Sequence, residues 1–361
     1  MKPWKIPLHR SSIGKEEIAA VVKTMKSGQL TMGKQVRKFE EAWEKKLGKH
    51  CIMVNSGSSA NLLMWAVLTS PLREERLLPG SEVIVPALCW PTTVWPIVQH
   101  GLVPVFVDID HTLNLNGDML RSAEHFKTSA IVCLPLYGRP LKPFVHRSWV
   151  VEDACETAGD IQGDMGSLSF YFSHHMTTGE GGMLVCADKN DAQIARMIRA
   201  HGWLRDCLPG TAPVNEVGPD WADGRFLFVC AGYNLRPTEL AAAIGLEQLK
   251  KLPKMNARRI RAAQIIGNRD YDFPPFGVTF MAKSQAHRQQ IVTTLAGKGI
   301  ETRPILCGNM AEQPGMKHYP HRVHSDAVAR QVARCGFSVG CVGIGDADAR
   351  WMSKVIREAM A

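Results

Sequence analysis

No stretch of the 361-residue chain approaches the roughly 20 consecutive apolar residues that a membrane helix requires. Its opening, Met1-Lys2-Pro3-Trp4-Lys5, lacks the apolar core of a secretory signal. A cytosolic protein with no membrane partner is therefore expected. A block of like charge is also missing: 43 Lys and Arg against 34 Asp and Glu leave +9, but the basic residues are scattered and no nucleic-acid motif accompanies them. That pattern argues against a nucleic-acid partner and for small anions. The ten cysteines include no C-x-C or C-x-x-C, and Cys335 and Cys341 are the closest pair, so reduced thiols are expected rather than disulfides or a metal framework. His318, His321 and His324 are three residues apart, yet Pro320 breaks helical spacing and no carboxylate or thiol lies near them in the segment; a polar loop is expected, and no metal.

What is present reads as an ordinary globular protein. With 45% hydrophobic and 21% charged residues, disorder and collagen-like repeats are excluded. At this length a large domain with a smaller second one is expected, and a functional cleft between them. Apolar residues at three- and four-residue spacing between Lys15 and Lys49 (Ile18, Val21, Val22; Phe39, Trp43, Leu47) predict two helices joined by a loop at Gly28 and Gly33. Short β-branched runs then alternate with helical stretches: 51–54, 82–85, 103–107, 130–136 and 149–151. Runs of this kind indicate a mainly parallel sheet covered on both faces. A hairpin-like pair, 167–172 and 182–186, follows, then an irregular stretch from Asp206 to Gly224 and a helix from Arg236 to Leu252. Beyond Pro253 the pattern becomes helix, strand (277–281), helix, strand (299–304) and a final helix. The division expected is a large unit over 1–252 and a small α+β unit over 253–361.

Three segments carry chemistry. Asn55-Ser-Gly-Ser-Ser-Ala-Asn61 follows a strand and opens a helix, so its free N–H groups and the positive helix end suit a phosphate. An unliganded N-cap using Ser58 or Ser59 has the same appearance. Val151-Glu-Asp153-Ala-Cys-Glu156 puts two carboxylates three apart just after an apolar strand; since strand C-termini line the crevice of a parallel sheet, Asp153 could pair with a protonated pyridine nitrogen, or merely cap a helix. The third segment is Ser169-Phe-Tyr-Phe-Ser-His174-His175-Met-Thr-Thr-Gly179-Glu180-Gly181-Gly182.

Taken in order, N-S-G-S-S-A-N, V-P-x-x-x-W-P-T-T, V-E-D-A, the T-T-G-E-G-G segment, R-A-H-G-W and G-Y-N-L-R-P resemble the pyridoxal-phosphate sugar aminotransferase family over nearly the whole chain. The resemblance implies the type I aminotransferase fold, with a mainly parallel seven-stranded sheet between helices, and action on nucleotide-linked 4-keto-6-deoxy sugars. It also implies a pyridoxal 5′-phosphate or pyridoxamine 5′-phosphate cofactor. One position departs from most of the family. Where a lysine six residues before the Glu of G-E-G-G bonds to the cofactor aldehyde, this chain has His174, and no lysine occurs between Lys142 and Lys189. Imidazole cannot form that bond, so the cofactor would be held non-covalently, while histidine can move a proton near neutrality. The departure resembles the sugar 3-dehydratase branch, which removes the C3 hydroxyl using L-glutamate as amino donor and releases ammonia. Within that branch the iron–sulfur-dependent members need a C-x-C-x₇-C group after R-A-H-G-W. Here Cys207 stands alone before Cys230, so the cluster-free members, acting on GDP-4-keto-6-deoxy-D-mannose, are the nearer match and no iron–sulfur cluster is expected.

Residue by residue, the resemblance implies that Gly57, Ser58 and Ser169 hold the cofactor phosphate, that Trp90 stacks on its ring and that Asp153 pairs with its nitrogen. Glu156, where most of these aminotransferases carry Gln, would approach the ring hydroxyl. Asn234 would reach the cofactor of a neighbouring subunit in a homodimer. His174 is the expected base, with His201 a second candidate near the sugar or a purely structural residue. Arg205, Arg236 and Arg303 are candidates for the nucleotide diphosphate, or ordinary surface ion pairs. Two other functions fit the same motifs: a nucleotide-sugar 4-aminotransferase working without its lysine, and a catalytically inactive relative serving as a binding partner. The irregular stretch 208–225 is the candidate lid.

Overall fold

The computed structural model describes residues 4–144, 146–208, 210–212 and 218–361; Met1–Pro3, Pro209 and residues 213–217, on which part of the leader and lid readings falls, lie outside the described residues. Two helices, α1 (Lys15–Lys26) and α2 (Lys34–Leu47), precede a βα alternation: β1 (His50–Val54), α3 (Gly57–Leu68), β2 (Glu82–Pro86), α4 (Pro91–Gln99), β3 (Val103–Val107), α5 (Gly117–Ala123), β4 (Thr128–Cys133), β5 (Trp149–Asp153). The hairpin-like pair forms β6 (Met165–Ser169) and β7 (Gly182–Cys186), followed by α6 (Lys189–Arg199) and α7 (Glu239–Gly267). The remainder comprises β8 (Val278–Met281), α8 (Gln285–Gly297), β9 (Thr302–Arg303), β10 (Arg322–Val323), α9 (Ala327–Cys335), β11 (Gly336–Val339) and α10 (Asp346–Met360).

The large sheet has the order β1-β7-β6-β5-β4-β2-β3-β10, parallel from β6 to β10, with β7 antiparallel to both its neighbours. Apart from the exposed two-residue β10 its strands are largely buried on both faces, and the period-two alternation of β1 divides between them. Ile52 and Val54 pack with Leu63, Trp65 and Leu68 of α3, whereas Cys51 and Met53 pack with Phe39 and Trp43 of α2. The expected seven strands gain an eighth, because Arg322–Val323, within the segment expected to be a polar loop, pairs with β3. His321 there bonds the Tyr319 carbonyl and His324 bonds the Ser122 hydroxyl.

A second sheet, β8-β11-β9, is antiparallel, and its core joins Ile6 to Ala262, Ile266, Phe337, Val339, Met352 and Ile356. The strand β11 and helix α9 were absent from the pattern read in the sequence. The helix expected to stop at Leu252 instead runs on to Gly267 with Pro253 inside it. Proline removes one backbone bond, but Ala242 and Leu252 anchor the first half in the large core while Ala262, Ala263 and Ile266 anchor the second half in the small one. Packing at both ends outweighs the local break. All ten cysteines are unbridged.

The strand feeding the site is fixed by buried charge. Glu40 of α2 accepts hydrogen bonds from Met53 N–H (2.9 Å), Arg196 (2.8 Å) and Arg199 (2.7 Å), and Arg199 also donates to the Met53 carbonyl (2.8 Å). The N-terminus of α2 has no side-chain cap of its own; Glu239 of α7 accepts from the N–H groups of Gly33, Gln35 and Val36 at 2.8–2.9 Å.

Candidate active site

The parallel strands β1, β2, β4, β5 and β6 all end at one side of the sheet, and the crevice outside the carboxyl ends of such strands is where ligands bind. A cavity of about 310 Å³ opens there. It is lined by Ser56, Gly57 and Ser58 after β1, Trp90 and Thr92 after β2, Leu134 and Leu136 after β4, Asp153, Cys155 and Glu156 from β5, and Ser169 and His174 after β6. Phe276 and Arg303 close it from the other side. Eight of the twelve residues singled out in the sequence thus meet in one cavity: Gly57, Ser58, Trp90, Asp153, Glu156, Ser169, His174 and Arg303.

The turn into α3 is capped by Ser56, whose hydroxyl accepts from Ser59 N–H at 3.0 Å, not by Ser58 or Ser59 as the sequence reading had it. Moving the cap back leaves the Ser58 hydroxyl with Thr92 at 3.2 Å as its side-chain partner among the described residues, and facing the cavity. Gly57 is obligatory: a Cβ there would stand 2.6 Å from Ser169 Cβ and 3.0 Å from Cys155 Sγ. The same crowding explains the last glycine of T-T-G-E-G-G, since a Cβ on Gly182 would stand 2.2 Å from the Ser56 carbonyl oxygen.

Asp153 is 4% exposed and held from two sides: Thr93 donates at 2.6 Å and Asn61 at 2.9 Å to the same carboxylate oxygen, and Ser167 donates to Asn61 Oδ1 at 2.6 Å. These three supports were missed although each stands inside or beside a quoted motif. Asn61 is one helical turn beyond Gly57, so the i, i+4 spacing was the available signal. Phe276 and Tyr171, which flank His174 with ring centroids at 5.0 and 6.2 Å, had no signal in sequence.

Glu156 accepts from Tyr137 N–H at 3.0 Å, and burial pushes its carboxyl up to about 7, against the pull of that bond and of the Arg303 charge. His174 bonds through Nδ1 to the Cys155 carbonyl oxygen. A carbonyl only accepts, so Nδ1 carries the proton and Nε2 is left as the basic nitrogen. Burial holds the imidazole down at about 4, partly offset by the Cys155 bond, so it is neutral at pH 7. Among the described residues no lysine lines the cavity.

The residues present fit a pyridoxal-type cofactor. A carboxylate fixed at one end can hold a cationic ring nitrogen, a Cβ-free helix start at the other can take a phosphate, and the Trp90 indole, 46% exposed, is free to cover a flat ring.

The other four candidates gather elsewhere. Arg236 bonds Asn234 (3.0 Å) and His201 (3.2 Å), and Arg205 lies 3.4 Å over the Trp203 ring, which stacks on Phe226 and Phe228. Phe226 and Phe228 are each 55% exposed. His201, Asn234, Arg205 and Arg236 are all exposed and do not line the 310 Å³ cavity of their own chain.

Comparison with known proteins agrees with this geometry. Residues 11–340 match the DegT/DnrJ/EryC1/StrS aminotransferase family. GDP-4-keto-6-deoxy-D-mannose 3-dehydratase of Escherichia coli O55:H7 is 37% identical, covering 89% of this chain and 90% of its own. A crystal structure of GDP-4-keto-6-deoxymannose-3-dehydratase, a His-to-Asn variant with bound GDP-perosamine, superposes with a TM-score of 0.91 at 35% identity, over 98% of this chain and all of that one. Another, with a trapped PLP-glutamate geminal diamine, gives 0.91 at 34% identity over the same shares.

Proposed function

The chain belongs to the DegT/DnrJ/EryC1/StrS aminotransferase family, and on that premise we propose that it is a pyridoxal-phosphate-dependent 3-dehydratase of a nucleotide-linked 4-keto-6-deoxyhexose, GDP-4-keto-6-deoxy-D-mannose, with L-glutamate as amino donor. The observation that carries it is His174, a neutral imidazole with a free basic Nε2 in a cavity that no lysine lines among the described residues. The cofactor, when bound, supplies an amine for the sugar ketone and a ring that accepts the electrons released at the carbon next to it.

The protein's part is to bind, orient and move protons. Gly57, Ser58 and Ser169 would hold the phosphate, Trp90 would cover the ring, and Asp153, fixed by Asn61 and Thr93, would keep a proton on the ring nitrogen. His174 Nε2 takes a proton and, once protonated, can return it to the departing C3 hydroxyl; the Cys155 carbonyl keeps the ring from turning. Glu156, with its carboxyl near 7, would share a proton with the ring hydroxyl. Arg303 is the cation in the cavity for an anionic part of a substrate.

We further propose a homodimer, supported by the exposed His201–Asn234–Arg236 cluster and its neighbouring aromatic patch. Docked on a partner, that surface would bring Asn234, with Arg205 and Arg236, to the partner's cavity. No helix among the described residues is long and apolar enough to cross a membrane, and nucleotide sugars are membrane-impermeant, so we assign the reaction to the cytoplasm.

Incubation with pyridoxal phosphate, L-glutamate and GDP-4-keto-6-deoxymannose tests the reading by mass analysis of the sugar nucleotide and an ammonia assay. The expected product has lost one oxygen, with one ammonia per turnover. An amino sugar without ammonia would make the protein an aminotransferase, and cofactor binding without turnover would mark it as a non-catalytic relative.

A further inference from the structure

A second and larger cavity, about 470 Å³, lies behind the segment that carries His174, with that residue in the walls of both. Its other walls are the N-terminal segment at His9–Ser12, the middle of α7 from Lys250 to Arg259, and Val342–Gly343. The cavity is strongly basic. Two of its lysines are already neutralised, Lys250 by Glu247 (2.7 Å) and Lys251 by Glu17 (2.7 Å). Arg10, Lys254, Arg258 and Arg259 are not: among the described residues none of the four has a carboxylate within ion-pair distance.

Arg259 makes the imbalance costly. It is 3% exposed; its guanidinium donates to the carbonyl oxygens of Pro275 (3.3 Å), Phe276 (3.2 Å) and His174 (3.1 Å) and lies beside the Cys341 thiol, with no carboxylate partner among the described residues. Carbonyl dipoles satisfy its N–H groups without cancelling its charge, and a buried ion without a counter-ion carries a large desolvation penalty. Arg10 likewise donates to the carbonyls of Gly343 (3.0 Å) and Lys5 (3.2 Å). A second, independent observation comes from the imidazoles. Neither ring nitrogen of His9 has a hydrogen-bond partner among the described residues, so the one N–H of that imidazole stands open in the cavity wall, whereas His175, 4% exposed, spends its N–H on the Pro274 carbonyl (2.9 Å). A buried N–H left open in a cavity wall suits a ligand that accepts from it.

We propose that this cavity is an anion site that takes a diphosphate group. Guanidinium forks match phosphate oxygens in pairs, and four uncompensated cations call for an ion of more than one negative charge. The cavity exceeds the reaction cavity in volume, so it has room for the diphosphate of a nucleotide as well as for free inorganic pyrophosphate. Because Arg259 holds the His174 carbonyl, an anion bound there presses on the element that positions the base. The site stands on its own residues and does not depend on the dehydratase reading.

Isothermal titration of the cofactor-loaded protein at low ionic strength, with inorganic pyrophosphate in one arm and GDP in the other, tests the site. Lys254 and Arg258 are exposed on α7, so the double variant K254A/R258A keeps the fold, which circular dichroism checks. Its affinity for pyrophosphate is expected to fall about tenfold or more, since each charged hydrogen-bond donor contributes on that scale. A parallel loss for GDP assigns the site to a nucleotide's diphosphate; a loss for pyrophosphate alone assigns it to the free anion, and either supports the site. The proposal is overturned if neither ligand loses affinity in the variant.

Discussion

Glu156 links the charge state of the site to the stability of the fold in a way that can be measured without substrate. Its carboxyl is pushed from 4.5 to about 7 by burial, and it is 8% exposed, so solvent screens little of the effect. The folded protein therefore holds this proton more tightly than the unfolded chain does. Below pH 4.5 both states are protonated and the fold loses nothing. Between 4.5 and about 7 the unfolded chain ionises while the folded one stays neutral, so stability falls as pH rises, and above 7 the loss is complete. At 1.36 kcal/mol per pH unit the full loss is roughly 3 kcal/mol, of which roughly 2.5 falls between pH 5 and pH 8. Glu156→Gln keeps an oxygen for Tyr137 N–H and never ionises, so it removes this dependence. Urea denaturation of both proteins without added cofactor, at pH 5 and pH 8, should show the variant gaining about that much on the wild type at the higher pH. A stability difference that does not change between the two pH values would refute the buried-acid account.

Three further substitutions probe separate parts of the argument. His174→Asn can still donate to the Cys155 carbonyl but has no basic nitrogen, so kcat for ammonia release should fall by about 10² to 10⁴. Since burial holds His174 at about 4, wild-type kcat/KM should show no acid limb near 6.5 from this residue, and a limb there that vanishes in the variant would contradict its burial. Gly57→Ala drives a methyl to 2.6 Å from Ser169 Cβ, displacing one wall of the phosphate turn; spectrophotometric titration should show pyridoxal-phosphate affinity reduced about tenfold or more, and an unchanged Kd would remove Gly57 from the site. Glu40→Ala leaves Arg196 and Arg199 buried without their shared carboxylate, at a cost of about 3–5 kcal/mol in urea unfolding; a cost below about 1 kcal/mol would mean that water enters to replace it.

Much of the site was legible because its residues follow strand ends within a few positions. Ser56–Ser58, Trp90, Asp153, Glu156 and Ser169 all trail an apolar run, and parallel strands must deliver their C-termini to one edge. The resemblance of six ordered segments then supplied roles that spacing alone left open, and His174 was conspicuous as a departure from them. The supports around Asp153 were less visible. Asn61, Thr93 and Ser167 come from three elements, and only the packing of α3 and α4 against the sheet shows that their side chains converge on one carboxylate.

Local sequence determined the central strands of the large sheet and the chemical types available at each strand end, because those depend on periodicity and on the absence of a Cβ. Tertiary structure decided the rest. Helix α7 passes through Pro253 because two cores grip its ends, α2 is capped by a glutamate some 200 residues away, and Arg322–Val323 becomes a strand because β3 offers it an open edge. It likewise decided that Glu156 holds its proton up to about pH 7 and that His174 stays neutral, since a pKa is set by what surrounds a group. The separation of Asn234 and Arg236 from their own chain's cavity has the same origin. Folding alone determines which residues close in sequence face one cavity and which face away from it.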